Sequence, residues 1–311
     1  MKIVLVGGSG FLGRAVVMAL AGEGHECLVL TRMPNRAKEF ALQPGTRVLA
    51  ADVYSESRLA AVFGGADLVI SMAGILNESG FKGHGFHRVH VELVNTIIKA
   101  CRVAGVLRLL HVSAIGAGQG RSHYLKTKGE AEAALWASGL DVTIFQPSVI
   151  FGPGDGFFNR FATLLRLAPI LPLACASSRL QPVFSGDVAM AIAQVAASQA
   201  HSGSTLQLGG CRDYSLIELV RFTAKTLGLK RLVVPLPDAV SKLQGSVMDF
   251  VPGKPFSSDN YLSLQLDNVT SDNALPRLGI TPQSIESIVP GYLGQSARQR
   301  QLGAFRERAK R

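Results

Sequence analysis

The sequence predicts an α/β chain built on a doubly wound parallel Rossmann sheet with a smaller C-terminal lobe. Three observations predict it. Short β-branched runs alternate with longer helical stretches through the first half of the chain. The first strand-to-helix turn carries the spacing Gly7-x-x-Gly10-x-x-Gly13. Past residue 152 that rhythm is lost, and prolines break the chain into short pieces. The expected division is a dinucleotide-binding domain over 1–152, a lobe over 153–296 partly interleaved with the sheet, and a basic tail over 297–311.

Ile3–Val6 is an uninterrupted apolar run, as a strand covered on both faces requires. A helix follows over Phe11–Ala21 and stops at Gly22 and Gly24. Cys27–Leu30, Val48–Ala51 and Leu68–Met72 read as the second, third and fourth strands. After a loop holding Gly80, Gly83 and Gly85, a helix is expected over Phe86–Ala104. Arg108–Val112 is the fifth strand, Tyr124–Ala137 a helix, and Val142–Phe145 the sixth strand. Beyond it the pattern gives a helix over Phe157–Leu167 and a strand at Val183-Phe184. A helix capped by Asp187, a short strand at Thr205–Leu208 and a helix over Ser215–Leu227 complete it.

With 47% hydrophobic and 17% charged residues in 311, the chain has the material for a core and is not disordered. Its net charge is +10, of which +5 falls between Arg298 and Arg311. The body is only mildly basic, so no nucleic-acid partner is expected, and the tail reads as a solvated helix end. Cys27, Cys101, Cys175 and Cys211 lie too far apart for zinc pairs and suit core packing in a reducing compartment. The apolar run after Lys2 is too short for a signal peptide, and Leu167–Ala176 is broken by Pro169 and Pro172, so no transmembrane segment is expected. These points predict a cytoplasmic protein, with peripheral contact at the inner face of a membrane as an extension of that reading. His84, His87 and His90 lack the i, i+4 spacing of a helical metal site, so no metal is predicted, and His111 reads as a satisfied core histidine. Phe157, Phe158, Phe161, Leu164 and Leu165 form an apolar helix face, either core or the wall of an apolar pocket.

The glycine turn carries the main chemistry. Without Cβ atoms the backbone turns tightly and a pyrophosphate can approach the N–H groups at the helix start. The end of the second strand holds Thr31-Arg32 where NAD-preferring sites place a carboxylate. A guanidinium there suits a 2′-phosphate, so NADP(H) is favoured, with NAD(H) as the alternative. Asp52 either accepts from the adenine amino group or caps a turn. Tyr124 and Lys128 sit at i and i+4 on one helix face, a spacing that lets an ammonium lower the phenol's pKa for acid–base work.

Taken with Asp52-Val53, Ala73-Gly74 and Pro147-Ser-Val-Ile-Phe-Gly152-Pro153, these motifs resemble the short-chain dehydrogenase/reductase superfamily in its extended, epimerase-like branch. A narrower resemblance, to bacterial relatives of the nucleotide-binding accessory subunit of respiratory complex I, spans nearly the whole chain. It rests on His111-Val-Ser-Ala-Ile-Gly116, Tyr124-Leu-Lys-Thr-Lys-Gly-Glu-Ala-Glu132, Phe256-Ser-Ser-Asp-Asn-Tyr261 and Leu264-Gln-Leu-Asp-Asn-Val269. The resemblance implies that Gly7, Gly10, Phe11, Leu12 and Gly13 hold the diphosphate and Arg32 the 2′-phosphate. It implies that Asp52 and Val53 frame the adenine, and that Ala73 and Gly74 line the ribose. Lys128 would bind the nicotinamide ribose, Pro147, Ser148 and Val149 would approach the carboxamide, and Tyr124 would be the acid/base, with Ser113 as its helper. Two departures bear on catalysis: Ser113 precedes Tyr124 by only eleven positions, and Ala114 stands where the helper hydroxyl is expected. The implied function is a dinucleotide binder of the accessory-subunit type with weak or no turnover, partnered by a respiratory complex or another membrane-associated protein. The alternative is an NADP(H)-dependent oxidoreductase or epimerase acting on an apolar carbonyl, quinone-like or nucleotide-sugar substrate.

Overall fold

A computed structural model describes residues 1–34, 37, 40, 42–252 and 254–293. Arg36, Lys38 and the basic tail over 297–311 lie outside the described residues. The first half runs β1 (Lys2–Val6), α1 (Phe11–Gly22), β2 (Glu26–Thr31), β3 (Thr46–Ala50), α2 (Glu56–Phe63), β4 (Leu68–Ser71), α3 (His84–His87), α4 (Leu93–Ala104), β5 (Arg108–Val112), α5 (His123–Trp136) and β6 (Asp141–Pro147). A single π-helical turn over Arg88–Glu92 joins α3 to α4. The second half adds β7 (Ile150–Phe151), α6 (Phe158–Leu167), β8 (Ile170–Leu173), β9 (Arg179–Leu180), β10 (Val183–Phe184), α7 (Ser185–Ala197) and β11 (Ser204–Leu208). It continues with β12 (Tyr214–Ser215), α8 (Leu216–Thr226), β13 (Leu232–Pro235), α9 (Asp238–Met248), α10 (Ser258–Ser263) and α11 (Ala274–Arg277). A last helix covers 285–293.

The central sheet has seven parallel strands in the order β11-β6-β5-β4-β1-β2-β3. Strand order reverses between β1 and β4, and the crevice at such a switch point is where open α/β sheets bind ligands. The short strand foreseen at Thr205–Leu208 is the seventh strand of this sheet, because α7 carries the chain back across the α1 face. Val16, Val17 and Leu20 of α1 share one buried cluster with Val188, Ile192 and Val195 of α7. The opposite face is covered by α2, α4 and α5 through Leu59, Phe63, Ile97, Ala131 and Leu135. A third cluster around Phe158, Leu165, Leu219 and Val289 is the core of the lobe.

Two local expectations shift. Helix α7 begins at Ser185, so Asp187 lies inside its first turn, and its carboxylate accepts from the backbone N–H of Gln283 at 2.7 Å. Helix α2, absent from the sequence reading, is started by Ser55, whose hydroxyl accepts from Arg58 N. Of the cysteines, Cys27 and Cys101 are buried and Cys211 is exposed; none is paired. Among the described residues no helix is long and apolar enough to cross a membrane.

Candidate active site

The carboxyl ends of β1, β4, β5 and β6 open into a cleft of about 1240 Å³ that continues under the lobe. That exceeds the usual single-ligand pocket of roughly 300–1,000 Å³ and leaves room for two molecules.

Its floor is the turn from β1 into α1. Gly7 has φ +91°, and a Cβ there would lie 2.7 Å from Ala73 N, so β4 and the turn can meet only at a glycine. A Cβ on Gly13 would come within 2.5 Å of Gly7 O and of Gly8 Cα. Gly10 is freer, with a nearest approach of 3.2 Å, and sits in extended conformation as the N-cap of α1. No side chain caps that helix start, so its amides remain for an anion. Phe11 and Leu12 line the cleft beside these glycines. A dinucleotide's pyrophosphate suits this cradle.

At the adenosine end Thr31, Arg32, Val53 and Tyr54 line the cleft. The Thr31 hydroxyl accepts from Met33 N at 3.1 Å and from Ser9 Oγ at 3.2 Å. Asp52 does not line the cleft; its carboxylate accepts from Tyr54 N at 3.0 Å, the turn-capping role. Arg88, from the π-turn, stacks its guanidinium 4.7 Å from the centre of the Tyr54 ring. Burial raises the Tyr54 phenol's pKa, and the positive charges of Arg88 and Arg32 counter it. One guanidinium thus stacks on the ring and a second adds its charge. Arg88 was not singled out from the sequence, because only the fold brings it to a residue 34 positions earlier.

At the other end Ala73, Gly74, Ser113, Ala114, Tyr124 and Lys128 line the cleft. The span from β5 to α5 is short because Gly116, Gly118 and Gly120 all take positive φ and lie flat on the helix. A Cβ on Gly129 would fall 2.3 Å from Gly118 Cα, so the loop touches α5 backbone to backbone. The helix start is held from the lobe: Asp259 accepts from His123 N at 2.6 Å and from Tyr124 N at 3.2 Å. Ser122 is fully buried, and its hydroxyl caps α5 at Leu125 N. Pro147, Ser148 and Val149 line the facing wall, and Asn268 pins them. Its Oδ1 accepts from Ser148 Oγ at 2.6 Å and from Val149 N at 3.0 Å.

The electrostatics depart from the sequence reading. Lys128 is buried, and Nζ donates to Val112 O at 3.0 Å. Burial pushes its pKa down to about 8, against the pull of Glu132. Burial pushes the Tyr124 phenol up to about 12 rather than down, with no counteracting charge at the ring. Gln146, at the position before Pro147, donates to both Glu132 oxygens, at 2.9 and 3.1 Å.

Beneath Lys128 lies a buried polar layer. His90, in the π-turn, accepts at Nε2 from Ile75 N at 3.3 Å, which leaves Nδ1 to donate to Thr127 Oγ1 at 2.9 Å. Burial and the Lys128 charge push its pKa down to about 3, so the ring is neutral. Its edge meets Tyr124 at 5.5 Å between centroids. His111 is buried, but neither ring nitrogen has a partner, so it is not the satisfied core histidine the sequence suggested. Burial, with Lys128 and His90 alongside, holds its pKa well below the usual histidine value. Ser71 pairs with His111 across β4 and β5, and Ser113 lies two residues on, so all three point to the α5 side. The hydroxyls of Ser71 and Ser113 are closed from solvent and unpartnered. Among the described residues no group of three His, Cys, Asp or Glu could hold a metal ion; His84 and His87 are exposed, away from His90.

A family described as NAD(P)H-binding matches residues 7–155. The chain is 28% identical to the ceramide reductase of Caulobacter vibrioides over 79% of its own length and 77% of that protein's. It is also 28% identical to NADH dehydrogenase [ubiquinone] 1 alpha subcomplex subunit 9 of Arabidopsis thaliana, over 93% of this chain and 76% of that one. The solved dTDP-glucose 4,6-dehydratase from Streptomyces venezuelae, with NAD bound, shares the fold at a TM-score of 0.77 and 20% identity, covering 97% of this chain and 98% of that one. The glycine cradle and the seven-stranded switch-point sheet agree with these likenesses: residues 7–155 match the NAD(P)H-binding family, and the fold is shared with the dehydratase.

Proposed function

We propose that this chain holds NADP(H) as a lasting part of its structure, with weak turnover at most, as an accessory subunit similar to NADH dehydrogenase alpha subcomplex subunit 9. The observation that carries this reading is the state of the acid–base group. Tyr124 stands on the cleft wall with its phenol pushed up to about 12, and the Ser113 hydroxyl is closed from solvent and unpartnered. An acid–base residue works best with a pKa near the ambient pH. A hydroxyl closed from solvent meets a substrate oxygen only after a rearrangement.

Binding is the stronger half of the site. Gly7, Gly10 and Gly13, with the backbone of Phe11 and Leu12, would hold the pyrophosphate. Arg32 would take a 2′-phosphate, which favours NADP(H) over NAD(H), and Arg88 adds to the same field. Val53 would frame the adenine. Ala73, Gly74 and Lys128 would meet the nicotinamide ribose, and Pro147, Ser148 and Val149 the carboxamide. A ligand at a thousand times its dissociation constant adds about 4 kcal/mol to stability, enough for a structural role. The partner would be a respiratory complex or another membrane-associated protein, with the chain peripheral at the inner, cytoplasmic face of the membrane.

A second reading, an NADP(H)-dependent reductase of an apolar carbonyl compound, is favoured by Tyr124 and Lys128 sharing the cleft wall with an apolar second compartment. Bound reduced nicotinamide would supply a hydride to the carbonyl carbon. Tyr124 would give its proton to the carbonyl oxygen, and Lys128 would stabilise the phenolate left behind.

The two readings separate in one experiment. Absorbance of the reduced nicotinamide band is followed in the purified full chain with a panel of ketones in detergent. A band that is retained and never decays supports the first reading. Decay that drops by about 100-fold or more in Tyr124→Phe, with dinucleotide affinity unchanged, replaces it with the second.

A further inference from the structure

The cleft does not end at the nicotinamide side. It runs on beneath the lobe, where its walls become side chains: Phe157, Phe161 and Leu164 from the α6 segment, Leu171 and Leu173 from β8, and Met248 from α9. The polar groups in this compartment are mostly engaged with the protein itself. Arg160 donates to Pro255 O at 3.3 Å, and Asp267 accepts from Arg179 N at 3.1 Å. Gln244 Oε1 lacks a partner and offers one acceptor to a hydroxyl or amide N–H.

The mouth of this compartment is apolar and open. Leu167 and Ile170 line it while 78% and 54% exposed. On the outward face of the β8–β13 pair, Ile170 stands opposite Leu232, and Pro172 opposite Val234. Helix α9 continues the same surface. Gln244 and Met248 turn to the cleft, whereas Val240, Leu243 and Val247 are exposed beside them, with Phe250 beyond at 81%. Single exposed apolar side chains are ordinary, but a run of them rimming a cleft marks an interaction site. Exposed Lys230 and half-buried Arg231 directly precede Leu232 at one edge of this surface. Cations bordering an apolar surface match anionic headgroups above hydrocarbon.

We propose that the lobe half of the cleft is a subsite for the long hydrocarbon chain of a lipid, and that the rim formed by β8, β13 and α9 seats on an anionic bilayer. The lipid tail then passes from leaflet to cleft without crossing water, and its polar end comes to rest near Tyr124. This deepens the reading above and rests on it only in that NADP(H) fills the other half of the same cleft.

The test uses the full chain with and without NADPH. Dansylundecanoic acid probes the tail subsite by its emission, and flotation with phosphatidylcholine vesicles, with and without phosphatidylglycerol, probes the rim. Saturable dansyl binding is expected, weakened by about tenfold or more in Leu164→Arg, since a buried unpaired charge is costly. Calorimetric NADPH affinity should stay unchanged in that variant. Should Leu164→Arg lose its NADPH heat through misfolding, Leu171→Gln takes its place. Flotation is expected only with phosphatidylglycerol, and is expected to be lost in Leu243→Glu/Val247→Glu while dansyl binding persists. Absent dansyl binding in a chain that binds NADPH overturns the proposal, as does a folded Leu164→Arg or Leu171→Gln with undiminished affinity. Flotation that ignores lipid charge or survives the double substitution overturns the docking surface. Absent NADPH heat in the unsubstituted chain would sink the cofactor reading alone, because the dansyl and vesicle readings made without NADPH still stand.

Discussion

The two halves of the cleft are built from different materials. On the dinucleotide side the walls are backbone: three glycines at a helix start, the ends of parallel strands, and amides without side-chain caps. On the lobe side they are the ends of apolar side chains from α6, β8 and α9. Backbone walls fix one ligand shape and leave little room for substitution at Gly7 and Gly13, whereas side-chain walls set volume and polarity and can be retuned singly. The difference teaches where binding is imposed by the fold and where it is a property of this particular chain.

That contrast can be broken, and the sharpest blow falls on the cradle. Gly13→Val would drive a side chain into Gly7 O and Gly8, and calorimetry should find no dinucleotide binding; a variant that still binds would refute a backbone-built floor. On the lobe wall, a shape-conserving change such as Leu171→Met should leave dinucleotide affinity unchanged.

The next effect is on stability in acid. His90 titrates near pH 3 in the folded chain, and His111 is held well below its usual value. Below about pH 6.5 the unfolded chain binds protons that the folded chain does not. Stability is therefore complete above that pH and falls toward pH 4, by about 1.4 kcal/mol per unit for each histidine. Denaturant titrations across that window check it, and His111→Phe should roughly halve the slope. A slope unchanged by that substitution would remove the polar layer under Lys128 from the account.

Arg32→Ala should weaken NADPH by about tenfold or more and leave NADH nearly untouched, a loss of charge-assisted hydrogen bonds. Equal losses for both coenzymes would leave Arg32 as an adenine stack. The smallest change concerns the seam between the halves. Asn268→Ala removes the acceptor of Val149 N and one of the two acceptors of Ser148 Oγ, at a cost of about 1–3 kcal/mol in the unfolding free energy.

The same contrast explains what could be read in advance. The glycine turn, the strand rhythm and the Tyr124/Lys128 pair were legible because backbone geometry demands particular residues at particular spacings. The seventh strand was legible as a strand but not as a member of the sheet, since β11 reaches β6 only through the packing of α7 on α1. Arg88 beside Tyr54, Asn268 on Ser148 and Asp259 on Tyr124 left no local mark, because each joins segments far apart in the chain. The phenol's raised pKa was equally hidden: spacing placed the lysine on the right face, but only the fold shows the burial that raises the phenol.

One of those distant contacts reaches further. The amide groups that open α5 are gripped by a carboxylate 135 residues downstream. Severed from the lobe, the start of α5 would lose the clamp that sets Tyr124 in place. Any swing of the lobe on receiving a guest would be felt at that tyrosine as a tug on its own peptide nitrogen.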